Sequence, residues 1–203
     1  MARTPKVIED RREQIMDAAL RVFAQKGFAG ATNRDIAREA AITPGLIYHY
    51  FSSKEALFTA IVAERSPLQV ARTLPSAILD QPPQVLLETL VKQILVVAEG
   101  EQFVQLIRIF LPELLHNPTV VPDGVAGLSQ MAPFLERCLV AKMERGELAC
   151  GDAALAAQVL LGNLMGTVLR RQILRDPGAL RYSQQEIAEG IVSMTLQGLL
   201  PRE

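Results

Sequence analysis

A chain of 203 residues, 49% of them apolar, is long enough to bury a core in one large domain or two small ones, which excludes a disordered chain. Its 21 basic and 22 acidic residues nearly cancel, so no broad basic coat for nucleic acid is present; the only excess is local, nine Lys/Arg against seven acids in residues 1–60. Cys138 and Cys150 suggest reduced thiols rather than an oxidised framework, no apolar core of secretory length follows the basic N-terminus, and Lys92, Glu99, Arg108 and Arg170/Arg171 interrupt the apolar runs before bilayer length, so a soluble cytoplasmic protein is expected.

The first predicted helix runs from Glu9 to Lys26, with Ile15, Ala18, Ala19, Val22 and Phe23 on one face and Arg11, Arg12, Asp17, Arg21 and Gln25 on the other. Gly27 stands where a left-handed C-terminal cap is wanted. Thr32, three residues before Asp35, opens a short second helix as an approximate capping box, with Ile36, Ala37 and Ala40 facing inward. Thr43 caps a third helix and Pro44 takes its first position, where the missing N–H costs nothing. Gly45 leaves the start of this helix without a side-chain wall, so a DNA backbone or base edge can come close. Ile47 and Phe51, four apart, are expected in the core, which turns Tyr48, His49 and Tyr50 outward with polar tips for phosphate and ring bodies for sugar or thymine methyl. Ser52 and Ser53 cap a fourth helix whose buried stripe is Leu57, Phe58, Ile61 and Val62. Lys54 at its first turn opposes the helix dipole, and a phosphate shared with the free N–H groups there would explain it.

Residues 12 to 58 resemble the N-terminal DNA-binding domain of the TetR (tetracycline repressor) family, through the first helix and its Q-K-G-F end, then A-T-N-R-D-I-A-R-E-A-A-I-T-P-G-L-I-Y-H-Y-F-S-S-K-E-A-L-F. The resemblance implies an all-α homodimeric transcriptional regulator. Its three-helix helix-turn-helix domain would occupy residues 1–60, and a larger helical bundle for effector binding and dimerisation residues 61–203. Carried over by position, the DNA-facing set is Thr32, Arg34, Thr43, Pro44, Gly45, Leu46, Tyr48, His49, Tyr50 and Lys54. Asn33 and Ala41 depart from many relatives, which commonly have glycine at the second position. The expected partners are a palindromic double-stranded operator, read by two third helices about 34–36 Å apart, and a small, largely apolar effector whose binding releases it. Repression is favoured by the resemblance alone.

Beyond residue 65 the resemblance fades. A helix over 66–79 is expected to divide at Pro75; Pro82-Pro83 opens a long amphipathic helix to about Gly100; and another runs from Gln102 to His116, bent by Pro112. Bending leaves space, and the candidate effector pocket is Ile94, Phe103, Ile107, Phe110, Leu111, Phe134 and Met165. The irregular stretch Asn117 to Gly127 reads equally as a portal or a surface loop. A helix follows from about Ser129 to Arg145. Asp152 then caps a helix apolar around most of its circumference, and Ser183 caps the last. Two such terminal helices from each of two chains would form a four-helix dimer interface, with Leu161, Leu164, Val168, Ile191, Met194 and Leu199 as its candidates.

No catalytic set is legible. His49 and His116 stand alone, and there is no H-E-x-x-H, no metal-spaced cysteine pair, no Gly-rich phosphate loop and no G-x-S-x-G, so no enzyme, metal or cofactor is expected. The competing readings are a constitutive dimeric DNA binder without effector, and a helical-bundle enzyme or carrier with an incidental motif.

Overall fold

The computed structural model describes residues 5–116, 130–149 and 151–199. Among them every regular element is helical, as the periodicities and caps predict. The chain divides into two compact units: the described residues of Met1–Glu64 with Gln105–Gly127, and those of Arg65–Val104 with Leu128–Glu203.

The first unit holds α1 (Pro5–Gly30), α2 (Asn33–Glu39), α3 (Pro44–Tyr50), α4 (Lys54–Arg65) and, from residue 105 on, most of α7 (Glu101–His116). Within α1, Gly27 takes φ +70°, which breaks the helix where the sequence asks for a cap and lets Phe28 fold back. Phe23, Phe28 and Phe58 then meet with ring centroids 4.9–5.9 Å apart, and Phe110 stacks on Phe58 at 6.2 Å. Ion pairs Arg21–Glu39, Lys26–Asp35 and Arg12–Glu64 rim this core. Each exposed pair contributes about 0–1 kcal/mol, whereas each fully buried Leu or Phe contributes roughly 1.5–3 kcal/mol. The aromatic and aliphatic core therefore holds α1, α2 and α4 together, and the ion pairs fix their register.

The second unit holds α5 (Leu68–Thr73), a 3-10 turn at Ser76–Asp80, α6 (Pro83–Ala98), the start of α7, then α8 (Met131–Glu144), α9 (Ala153–Val168), a π turn at Leu169–Ile173, α10 (Pro177–Leu180) and α11 (Gln184–Leu199). Pro75 and Pro82 separate the short pieces from α6, and Pro83 fills its first position. Asp152 accepts from the Leu155 N–H, and Ser183 forms a reciprocal box with Glu186, so both final helices start where expected. The Asn117–Gly127 stretch lies outside the described residues.

Among the buried cations of this unit, Lys142 and Arg171 tie distant segments together. Lys142 is 1% exposed and donates to the Gln81 carbonyl (2.6 Å) and the Glu147 carboxylate (2.9 Å). Arg171 pairs with Glu99 at the end of α6, and donates to the Ala179 and Tyr182 carbonyls at 2.9 and 2.6 Å. Gln184 donates to the second Glu99 oxygen at 2.8 Å, so the carboxylate is satisfied on both sides.

Two expectations need correction here. Leu164 and Val168 point into their own unit, fully buried with Ala157 and Leu160, so they are not available to a second chain. An all-round apolar helix offers no moment to orient it, and packing against neighbours chose this face. The stretch Ala153–Ile173 is also long and apolar enough to cross a bilayer by composition, because Arg170 and Arg171 fall only at its end; 22% of its apolar window is buried.

Candidate nucleic-acid interface

The turn between α2 and α3 is built from local hydrogen bonds. Ile42 N–H donates to Ala37 O (2.9 Å) and Ala41 N–H to Arg38 O (3.2 Å), a Schellman closure of α2. The closing residue must take the left-handed region, and Ala41 does so at φ 51°. A Cβ there costs roughly 1–2 kcal/mol, so the departure from glycine is a strained position rather than a neutral one. The Gln14 amide donates to Ala40 O (2.8 Å), pinning the turn to α1. Nothing in a local pattern reveals that contact, since the partners are 26 residues apart.

Thr32 is engaged in the predicted capping box: its hydroxyl donates to Asp35 Oδ2 (2.8 Å) and accepts from the Asp35 N–H (3.2 Å). Asp35 also holds Lys26 at 2.6 Å and Arg38 at 2.8 Å. The Lys26 ammonium first, and the Thr32 hydroxyl second, lower its pKa from 3.8 to about 2. Because the folded value is depressed, the stabilisation is complete above about pH 4 and disappears as pH falls from about 4 to about 2. Melting temperatures of the protein and of Asp35→Asn should therefore converge across that window; a gap between them that stays constant down to pH 2 would refute the assignment.

On α3 the expected division of faces is present except at Tyr50, whose hydroxyl is buried. Ile47 and Phe51 are buried, Tyr48 is 58% exposed, His49 is exposed, and Leu46 and Tyr50 are half-buried. Thr43 has the extended backbone of a cap, but its hydroxyl makes no capping bond, contrary to expectation. Pro44 and Gly45 are exposed, and a Cβ at Gly45 would meet nothing within 4 Å. Arg34 is exposed at the start of α2. Arg34, Thr43, Gly45, Tyr48 and His49 thus leave polar groups and open backbone on the surface of this unit. The Tyr50 hydroxyl and Asn33 Oδ1 are instead buried without a hydrogen-bond partner, a state that costs roughly 1–3 kcal/mol per group.

Lys54 differs from its expected place. Its ammonium donates to Phe28 O (2.7 Å), Ala31 O (3.1 Å) and Ala29 O (3.5 Å), and sits 4.5 Å from the centre of the Phe28 ring. The carbonyls left open where α1 ends attract a cation more strongly than the N-terminus of α4 repels it. All three donors are engaged inside the protein, which makes Lys54 a clamp between α1 and α4.

The candidate effector residues do not converge on one of the observed openings. Ile94 and Phe103 are 1% and 2% exposed, Phe110 stacks in the aromatic cluster of the first unit, and Leu111 is exposed. Ile107, Phe134 and Met165 are half-buried. None of these residues lines any of three cavities in the second unit, of about 360, 570 and 380 Å³. Of the dimer candidates, Leu161 and Ile191 are half-buried and Met194 is 77% exposed; the Leu199 side chain lies outside the described residues. Among the described residues no group of three or more His, Cys, Asp or Glu is arranged to hold a metal ion.

Residues 15–61 match the family model for bacterial regulatory proteins of the tetR family, and residues 85–198 match the one for the C-terminal domain of AefR-like transcriptional repressors. The transcriptional regulator HbdR of Aromatoleum sp. (strain CIB) is 47% identical over 51 residues, covering 25% of this chain and 22% of that protein. UidR of Escherichia coli (strain K12) is 41% identical over 61 residues, covering 30% and 31%. The chain thus spans less than a third of those relatives. The transcriptional repressor DhaR of Mycobacterium sp. (strain GP1) matches end to end, 28% identical over 99% of this chain and 96% of that one. Among solved structures, FadR of Bacillus subtilis in complex with stearoyl-CoA superposes with a TM-score of 0.73 at 23% identity, over 92% of this chain and 98% of that one.

Proposed function

Because the chain belongs to the TetR family of bacterial transcriptional regulators, we propose that it is a cytoplasmic homodimeric repressor that places α3 of each subunit in successive major grooves of a palindromic operator and leaves it when a small effector binds. The observation that carries the reading is the outward face of α3, where Thr43, Gly45, Tyr48 and His49 offer unengaged polar tips and open backbone beside a turn closed by backbone hydrogen bonds. Thr43, Gly45, Leu46 and Tyr48 read base edges, and Arg34 and His49 contact phosphate. Tyr50 joins them if its ring turns, because a phosphate oxygen would give its buried hydroxyl the partner it lacks. Thr32 and Lys54 act by position, holding α2 and α4 while their own polar groups are engaged within the unit.

A dimer is supported by the face that α9 and α11 leave uncovered. Leu155, Val159 and Met194 are 61%, 53% and 77% exposed, and a Cβ at Gly162, Gly166 or Gly190 would meet nothing, so another helix can approach closely. Covering this face with a second copy accounts for the exposed apolar length of Ala153–Ile173 without a membrane. The effector is supported by the stearoyl-CoA held by the structurally similar Bacillus subtilis FadR.

Selection of bound duplexes from a genomic pool tests the reading. The expected product is an inverted repeat with half-sites about one helical turn apart, on the order of 10 base pairs. Tyr48→Ala should weaken it by about 1–3 kcal/mol and relax the sequence preference at one position in each half-site. Recovery of no duplex above a scrambled pool, or of single half-sites only, would reject it.

A further inference from the structure

The largest of the three cavities, about 570 Å³, is a groove between α5 and α6 in the second unit, within the range of small-molecule sites. Its apolar wall is Val70, Val96 and Val97, with Val96 54% exposed. Its polar wall is Thr89, Lys92 and Gln93, which α6 projects at three- and four-residue spacing beside Val96, along one face of the helix. No hydrogen bond or ion pair among the described residues engages these three side chains, whereas nearby Glu88 holds Gln84 and Glu99 holds Arg171.

We propose that this groove is the effector site and that it takes an amphipathic anion, with a carboxylate head on Lys92, Thr89 and Gln93 and an apolar tail along Val96, Val97 and Val70. The inference rests on the reading of the chain as an effector-released repressor, and changes the expected effector from largely apolar to charged at one end. The charge follows from the cation. A carboxylate makes a charge-assisted hydrogen bond with the exposed Lys92 ammonium that a neutral apolar ligand cannot make. Length follows from helix geometry: Lys92 and Val96 are about 6 Å apart along the axis, which suits a tail of several carbons.

One wall of the groove, α5, follows the last helix of the DNA-binding unit directly in the chain. Only Ser66 and Pro67 separate α5 from α4 along the chain. An anion that favours one position of α5 against α6 biases the entry into α4 by its differential affinity for the two positions.

The test titrates octanoate, octanol and octylammonium into the full-length protein by calorimetry, and repeats the titration on Lys92→Met and Val96→Trp. Both positions are exposed, so melting without ligand should be unchanged and certifies folding. Octanoate is expected to bind and the other two are not. Lys92→Met should weaken octanoate about tenfold or more, as the loss of a charge-assisted contact does, and Val96→Trp should abolish binding by filling the groove. Octanoate should lower operator affinity of the wild type and leave both variants bound. Equal octanoate affinity in all three proteins, equal affinity for octanol, or no octanoate binding overturns the site. Binding that leaves operator affinity unchanged overturns its regulatory role. Failure to bind any operator without ligand would instead sink the repressor reading, and the ligand titrations remain readable in that case.

Discussion

Arg171→Met is expected to destabilise the second unit by about 3–5 kcal/mol, the usual cost of removing one partner of a buried ion pair. In thermal denaturation this is a fall of roughly 10 °C. The side chains of Arg171 and Glu99 are 10% and 7% exposed, so the loss leaves a carboxylate enclosed with Gln184 as its one remaining side-chain partner among the described residues. It also frees the Ala179 and Tyr182 carbonyls, which hold α10 and the start of α11. Adding Glu99→Leu should recover much of the loss, because the penalty lies in the stranded charge more than in the missing attraction. The neighbouring Arg170 is the control. It binds Asp176 just as closely, yet its side chain is 58% exposed, so Arg170→Met should cost under about 1 kcal/mol. Similar losses from the two arginines would show that burial is not what makes Arg171 matter.

Val159→Glu combined with Met194→Glu should give a monomer at micromolar concentration by sedimentation, with unchanged helix content. Operator affinity should fall by about 100-fold or more, since the two heads no longer share one effective concentration. Both side chains are more than half exposed in the single chain, so neither substitution opens a cavity. Each places carboxylates on the apolar face that α9 and α11 present, where a copy related by two-fold symmetry would bring like charges together. A doubly substituted protein that still sediments as a dimer would place the interface elsewhere.

These predictions draw on different kinds of information. Features set by neighbours in sequence were readable in advance: Gly27 at positive φ, the Thr32–Asp35 box, Pro44 at a first position, Pro82-Pro83 as a helix start, Asp152 and Ser183 as caps. The inward turn of Ile47 and Phe51, and with it the outward turn of Tyr48 and His49, came from the same local source, the helical period. The family resemblance was legible for this reason too, because the motif is a run of capping and turn residues.

What the sequence by itself determined, then, is the helical class, the order and limits of most helices, and the face of α3 that stays outside; caps and periodicity act over three or four residues. Only the tertiary structure decided the rest. Lys54 faces carbonyls 23 to 26 residues away, and the dipole rule for its own helix pointed the other way. Arg171 and Glu99, 72 residues apart, look like ordinary surface charges until packing removes their water. On α9, Leu164 and Val168 went inside while Leu155 and Val159 stayed out, a choice no apolar-all-round helix can make alone. Ile94 and Phe103 are buried, and the groove between α5 and α6 lies on the face of α6 that carries Thr89, Lys92 and Gln93. Burial, pairing and cavities are properties of several segments at once, and the energies that set them exist only after those segments have met.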